Sequence, residues 1–356
     1  MAVFAARLTR CQSPSGQVTV RLGDPLLDAY LEFVEARCRP NSVLAAGFDL
    51  QVFFTVVPKP PAQVTSADVL GFITAQRAGS ATATPVTAIV DGAAGAVSAR
   101  TVRRRLSSVS GLFGYLQARG DVPANPVPRG LPTRRERARR PGGTPLIRSV
   151  RTLPVILSPE QVDALTAALR TSRERAMVTA MVLGGLRRCE VLGLRLEDLR
   201  FGERQVFIAD GKGGHQRLVP VSQRFFTAVK DYLEHERPDD AATDRVFVVL
   251  KGPRREQPLS AYGLDEVLDG ARRRAGLQRA TCHQLRHTCL TRLREAGMAL
   301  EAIQAQAGHA SIESTRIYLH LGDDWLAAQY RRAAEAVDAQ VFNDHPTTAQ
   351  PVRNLR

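Results

Sequence analysis

The chain has 356 residues, enough for two domains that each bury a core. It is 44% hydrophobic and 24% charged, the composition of a soluble globular protein. Its net charge of +14 predicts attraction to a polyanion, usually nucleic acid, although a generally basic proteome would look the same. Only Lys59, Lys212, Lys230 and Lys251 are lysines, an arginine bias that a GC-rich genome also produces. Cys11, Cys38, Cys189, Cys282 and Cys289 lack CxxC spacing. They argue against a metal site or a disulfide framework and fit a reducing cytosol. No apolar run approaches membrane-spanning length, and the first residues lack a signal-peptide core. A cytoplasmic, nucleoid-associated protein without membrane contact is expected.

Residues 1–20 read as a loose leader, and residues 21–125 as a helical domain. The apolar spacing of Leu26, Leu27, Tyr30, Leu31 and Val34 predicts a first helix from Pro25. A second is expected from Ser42 and a third from about Thr65. Residues 78–96 are Ala/Gly/Thr-rich and read as a loop. A fourth helix is expected from about Ser98 to Arg119, with Val102, Leu106, Val109, Leu112 and Leu116 as its buried stripe. Arg100, Arg103, Arg104 and Arg105 crowd its first half, against the helix dipole. DNA phosphate is the preferred compensation, with a solvated arginine face as the competing reading. Residues 126–153 form a basic linker containing Arg134, Arg135, Arg139 and Arg140. It is either a disordered tether or a segment that tracks a phosphate backbone.

A second domain, residues 154–340, opens at Ser158-Pro159-Glu160-Gln161, a capping box with proline at the first helical position. Two helices are expected up to Gly184. Strands over 205–210 and 216–221 would flank Gly211-Lys212-Gly213-Gly214 as a β-hairpin, and 244–249 would add a further strand. Helices are expected over 222–236, 261–275, 284–296, 300–307, 312–319 and 323–336, before a polar, flexible tail over 341–356.

Several polar residues stand out in this second half. Arg187 sits on a corner after Gly184-Gly185, with Glu190 placed to hold an arginine. Lys212 lies on the Gly-rich turn, which lacks the spacing of an NTP-binding loop. His283, Arg286 and His287 share one helix face. The zinc-protease reading of that histidine pair fails, because Gln284 stands where a glutamate base is needed and Arg286 would sit beside the metal. Gly308 caps a helix before His309, and Tyr318 follows nine residues later. Two permanent cations, proton-moving histidines and a lysine suit phosphoryl transfer without a metal.

Taken in order, these residues resemble the signature of the tyrosine recombinases, or phage integrase family. That signature is T-G-x-R-x-x-E, a hairpin lysine, H-x-x-R, G-H and a tyrosine nine residues on. The matches are Arg187 with Glu190, Lys212, His283 with Arg286, Gly308-His309, and Tyr318, and the resemblance spans roughly residues 25–338. Gly184, Cys282 and Gln306-Ala307 depart from it. The resemblance implies a mainly α fold with a small β-hairpin or sheet (α+β). It implies a two-domain DNA clamp, with a helical SAM-like core-binding domain and a tyrosine-recombinase catalytic domain. It also implies a site-specific recombinase that cuts and rejoins strands through a 3′-phosphotyrosyl intermediate, without metal, cofactor or ATP. Catalysis would rest on Arg187, Lys212, His283, Arg286, His309 and the nucleophile Tyr318, supported by Glu190 and His287. Double-stranded DNA would be the partner, bound in part by Arg100, Arg103, Arg104 and the linker arginines, in a tetramer at the synapse. A type IB topoisomerase and a catalytically idle DNA-binding regulator are the alternatives. Phage integration, transposition, cassette capture and chromosome-dimer resolution are all open roles.

Overall fold

The structure is a computed structural model that describes residues 4–12, 18–78, 97–128, 130, 146–147, 155–211, 216–308 and 315. The chain divides into two compact units, residues 1–151 and 152–356. No helix among the described residues is long and apolar enough to cross a membrane.

Among the described residues, the first unit contains the α-helices α1 (Pro25–Glu35), α2 (Pro40–Val56), α3 (Ser66–Ala78) and α4 (Ala99–Arg119). Asp24 starts α1 by accepting from the backbone N–H groups of Leu26 and Leu27, at 3.0 and 3.2 Å. Ser98 caps α4 in the same way, and Gly120, at φ 88°, ends it. The expected α4 stripe is buried in full and meets Leu27, Leu50, Phe53 and Phe72 in one core. Two of the four crowded arginines are spoken for inside the unit. Arg104 donates to Asp49 at 2.8 Å, and the buried Arg105 donates to Gln76. Arg100 and Arg103 are exposed.

The expected loose leader is corrected. Strands β1 (Thr9–Gln12) and β2 (Val18–Arg21) pair antiparallel, with Thr9 opposite Arg21 and Gln12 opposite Val18. Ala6 and Val20 are buried in the helical core, and Phe4 packs edge-on against Phe54 at 5.1 Å. These strands are too short for alternation to stand out against the polar residues around them, and their stability comes from tertiary packing on α2.

The second unit contains α5 (Pro159–Ala167), α6 (Ser172–Val182), α7 (Arg188–Gly193), α8 (Gln223–His235), α9 (Ala261–Arg274), α10 (Cys282–Glu295) and α11 (Leu300–Ala307). The capping box at Ser158 and Gln161 is formed. Helix α6 is buried along nearly its whole length between α8 and α10. Strands β3 (Leu199–Arg200), β4 (Gln205–Ile208) and β5 (Arg217–Pro220) make an antiparallel sheet in that order. Val206 pairs with Val219 and Ile208 with Arg217, so Val206, Ile208 and Val219 face the core. The strand expected over 244–249 is corrected. It makes only isolated bridges, Arg195 to Arg245 and Val248 to Pro258. Its apolar run reflects burial of Val246, Phe247 and Val248 while its backbone is shared between two loops. The expected helices over 312–319 and 323–336, the turn 212–215 and most of the linker lie outside the described residues.

The hairpin correction can be tested at Gly47 in α2. A Cβ there would lie 2.7 Å from Leu8 Cδ1 and 3.0 Å from Val20 Cγ1. Gly47→Leu should destabilise the protein by about 1–3 kcal/mol in urea melts through overpacking. That loss should appear despite a helix-propensity gain of about 1 kcal/mol. A neutral or stabilising result would mean that residues 4–21 do not pack on α2.

Candidate active site

Helix α6 ends where Gly184 and Gly185 allow a sharp corner. A Cβ on Gly184 would come 2.8 Å from the Ala180 carbonyl, and Gly185 adopts φ 68°. The corner delivers Arg187 to the N-cap of α7 in extended backbone. One turn on, Glu190 accepts from the Arg187 backbone N–H at 2.8 Å and from Arg187 Nη1 at 2.7 Å. The expected pairing of Glu190 with an arginine is present in this geometry.

Glu190 holds more than Arg187. Arg217, from β5, donates Nη1 and Nη2 to the two carboxylate oxygens at 3.1 and 3.0 Å. Arg286, from α10, has Nη1 3.8 Å from Oε2. The Glu190 side chain is 0% exposed, against 19% for Arg187, 12% for Arg217 and 4% for Arg286. Burial pushes the Glu190 carboxyl up. The Arg217 hydrogen bonds, the Arg187 backbone N–H and the two guanidinium charges outweigh it, so the group sits below its ordinary value of 4.5.

The same three arginines meet the end of α11. Arg217 Nε donates to the Gln306 carbonyl at 3.3 Å, Arg286 Nη2 to the Ala307 carbonyl at 2.7 Å, and Arg187 Nη2 to the Gly308 carbonyl at 3.1 Å. Three successive carbonyls that the helix leaves without intrahelical partners thus each take one cation. Arg286 Nη1 also donates to Gly185, back at the corner. Gln306 Nε2 bridges the Gly184 carbonyl at 2.9 Å and the Pro220 carbonyl at 3.1 Å. Two of the departures from the family pattern, Gly184 and Gln306, therefore bond to each other.

His283 and His287 lie one turn apart on α10. Their Nε2 atoms are 2.8 Å apart and their rings meet edge to face at 4.2 Å. Burial first, then the charges of His283 and Arg286, lower His287 to about 4, so it is neutral at neutral pH. Cys282 is no rival nucleophile: burial and then Asp265 push its thiol up to about 12.

The structure thus gathers Arg187, Glu190 and Arg286, and sets His283 and His287 on the same helix as Arg286. Lys212, His309, Tyr318 and the linker residues Arg134, Arg135, Arg139 and Arg140 lie outside the described residues. Sequence reasoning missed Arg217 and the bridging role of Gln306. Arg217 carried a signal: it shares the inward face of β5 with Val219, where a charge needs a reason.

The Phage integrase family model matches residues 156–324. Tyrosine recombinase XerA of Pyrococcus furiosus is 33% identical over 206 residues, covering 57% of this chain and 68% of that protein. The chain belongs to the phage integrase family. A second relative in it, a tyrosine recombinase of Thermosipho africanus, is 28% identical over 297 residues, covering 83% of this chain and 93% of its own. The crystal structure of XerH site-specific recombinase bound to palindromic difH substrate shares the fold, with a TM-score of 0.60 at 17% identity. That match covers 89% of each chain. Membership makes this integrase-family chain a tyrosine recombinase, and the topoisomerase and idle-regulator alternatives are not favoured.

Glu190 supplies the test of this geometry. Its depressed pKa contributes stability that is full above the unfolded value and is lost as pH falls through the lower folded value. Glu190→Gln should remove that part of the acid sensitivity below about pH 4.5. At pH 7 it should cost about 3–5 kcal/mol, because the clustered guanidinium groups lose their anion. Denaturant melts across pH check both, and an unchanged acid slope would contradict the assignment.

Proposed function

We propose that the chain is a site-specific DNA recombinase whose Tyr318 attacks one phosphodiester. The observation that carries the reading is the meeting of Arg187 and Arg286, from two separate elements, at Glu190 and at the last carbonyls of α11. A phosphodiester repels nucleophiles because it is already charged. Arg187 and Arg286 offer planar forks for its non-bridging oxygens, and His309 adds a further donor. Together they stabilise the charge that builds in the transition state.

In the proposed step the Tyr318 oxygen forms a bond to phosphorus and the bond from phosphorus to the 5′ oxygen breaks. His283 takes the phenol proton, and Lys212 gives a proton to the leaving oxygen. His287 stays neutral beside His283. The product is a 3′-phosphotyrosyl bond. Attack by a 5′-hydroxyl from another duplex reverses the step, so rejoining needs no ATP. The reading extends to a tetramer on two DNA sites. It assigns residues 21–125 to core binding, 126–153 to a basic linker and 154–340 to catalysis. Arg100, Arg103, Arg104, Arg134, Arg135, Arg139 and Arg140 serve as backbone contacts.

A nicked duplex carrying a site selected from random DNA by the wild-type chain tests this. Wild type should become covalently joined to the DNA and Tyr318→Phe should not. Arg187→Lys and Arg286→Lys should each slow adduct formation by about 10²–10³-fold. An adduct that persists in Tyr318→Phe would overturn the nucleophile assignment.

A further inference from the structure

Arg217 has no part in the mechanism above, yet it makes both of the short guanidinium contacts that Glu190 does not receive from Arg187. Its stem stands on the inward face of β5, paired across the sheet with Ile208. Its guanidinium reaches the Gln306 carbonyl as well. The turn is shaped around it: a Cβ on Gly308 would lie 2.8 Å from Arg217 Cζ and Nη1 and 3.0 Å from Nε. Gly308 therefore answers two demands, a left-handed backbone at φ 58° and room for this guanidinium. Arg187 donates to the two groups that Arg217 fixes, Glu190 and the Gln306–Gly308 turn.

We infer that Arg217 is a positioning residue for strand cleavage: its guanidinium fixes the Glu190 carboxylate and the Gln306–Gly308 turn, and through both it orients Arg187. The inference rests on the reading that the chain cleaves DNA. Without Arg217, Glu190 keeps Arg187 as its one near cation among the described residues, with Arg286 at 3.8 Å. The carboxylate is then free to rotate toward Arg187 and draw its fork away from the phosphate.

The test compares wild type, Arg217→Lys, Arg217→Met and Tyr318→Phe on the nicked duplex. The wild-type adduct, absent in Tyr318→Phe, first establishes the cleavage reading. At saturating protein, Arg217→Met should bind DNA with a Kd within a few-fold of wild type yet cleave about a hundredfold more slowly, the effect of a displaced catalytic group. Arg217→Lys keeps the charge and loses the fork, so it should recover all but roughly a tenfold loss. A DNA-free arm reads the same contact apart from cleavage. Among the described residues, Arg187, Arg217 and Arg286 are the charges that face Glu190, and losing one of them lets burial raise its carboxyl. The acid-unfolding midpoint of Arg217→Met should therefore move to higher pH. Cleavage at the wild-type rate, or binding and cleavage falling together, would overturn the inference. If Arg217→Met does not fold, Arg217→Lys decides alone: a slower rate at unchanged Kd supports the inference, and an unchanged rate overturns it.

Discussion

One buried carboxylate and the end of one helix hold three guanidinium groups together, and the geometry of the site depends on that balance. Two like charges 4 Å apart repel by about 4 kcal/mol at an effective dielectric of 20. Glu190 cancels one of the three, and the end of α11 supplies roughly half a negative charge. A positive excess is left in a partly enclosed site, and an anion is the natural complement. Because Arg187, Arg217 and Arg286 come from a corner, a strand and a helix, the cluster forms only when the whole second unit is packed. The buried length of α6, flanked by α8 and α10, is therefore part of the chemistry as well as of the stability.

The histidine pair extends the same argument. A charged His287 would add a fourth cation beside Arg286, in a position that burial already penalises. It sits instead at about 4 and stays neutral. A neutral ring 2.8 Å from His283 accepts or donates one hydrogen bond and contributes no net charge. His283 is the more exposed ring of the two.

The helical architecture was largely legible because its signals are local. The stripe of α4, the caps at Ser98 and Ser158 and the glycines at 184–185 and 308 each act within a few residues. Arg187, Glu190 and Arg286 were legible as motifs, since their order is fixed even when their contacts are not. What stayed hidden depends on tertiary contact. The paired strands at 9–12 and 18–21 have too few residues to show a period, and 244–249 is buried in extended form without belonging to a sheet. The face of β5 marked Arg217, but its partner Glu190 was readable only from the tertiary contact. Gln306 stood out only as a departure from the family pattern, although its amide ties the corner to β5.

The first unit uses the same physical device on a smaller scale, and the comparison shows what number of partners does. Asp49 is buried and holds Arg104 at 2.8 Å, while the Arg104 side chain stays 48% exposed. Burial is the largest influence on Asp49, and the bonds from Ser108 and Arg104 with the charges of Arg104 and Arg105 do not offset it, so its carboxyl is raised. At Glu190 two close guanidinium groups and a backbone N–H reverse that outcome. In both places a buried acid fixes an arginine, and at Glu190 the second terminal nitrogen of Arg187 is also held, by the Gly308 carbonyl. An arginine held this way has already lost much of its rotamer freedom, so less ordering entropy opposes its binding to a phosphate. The arginines crowding the start of α4 then divide by partner. Arg105 is consumed by the core, Arg104 is oriented by Asp49, and Arg100 and Arg103 lie on the exposed face. The helix-dipole conflict read from sequence is thus answered partly inside the unit, and only the outward-facing donors are left for a polyanion.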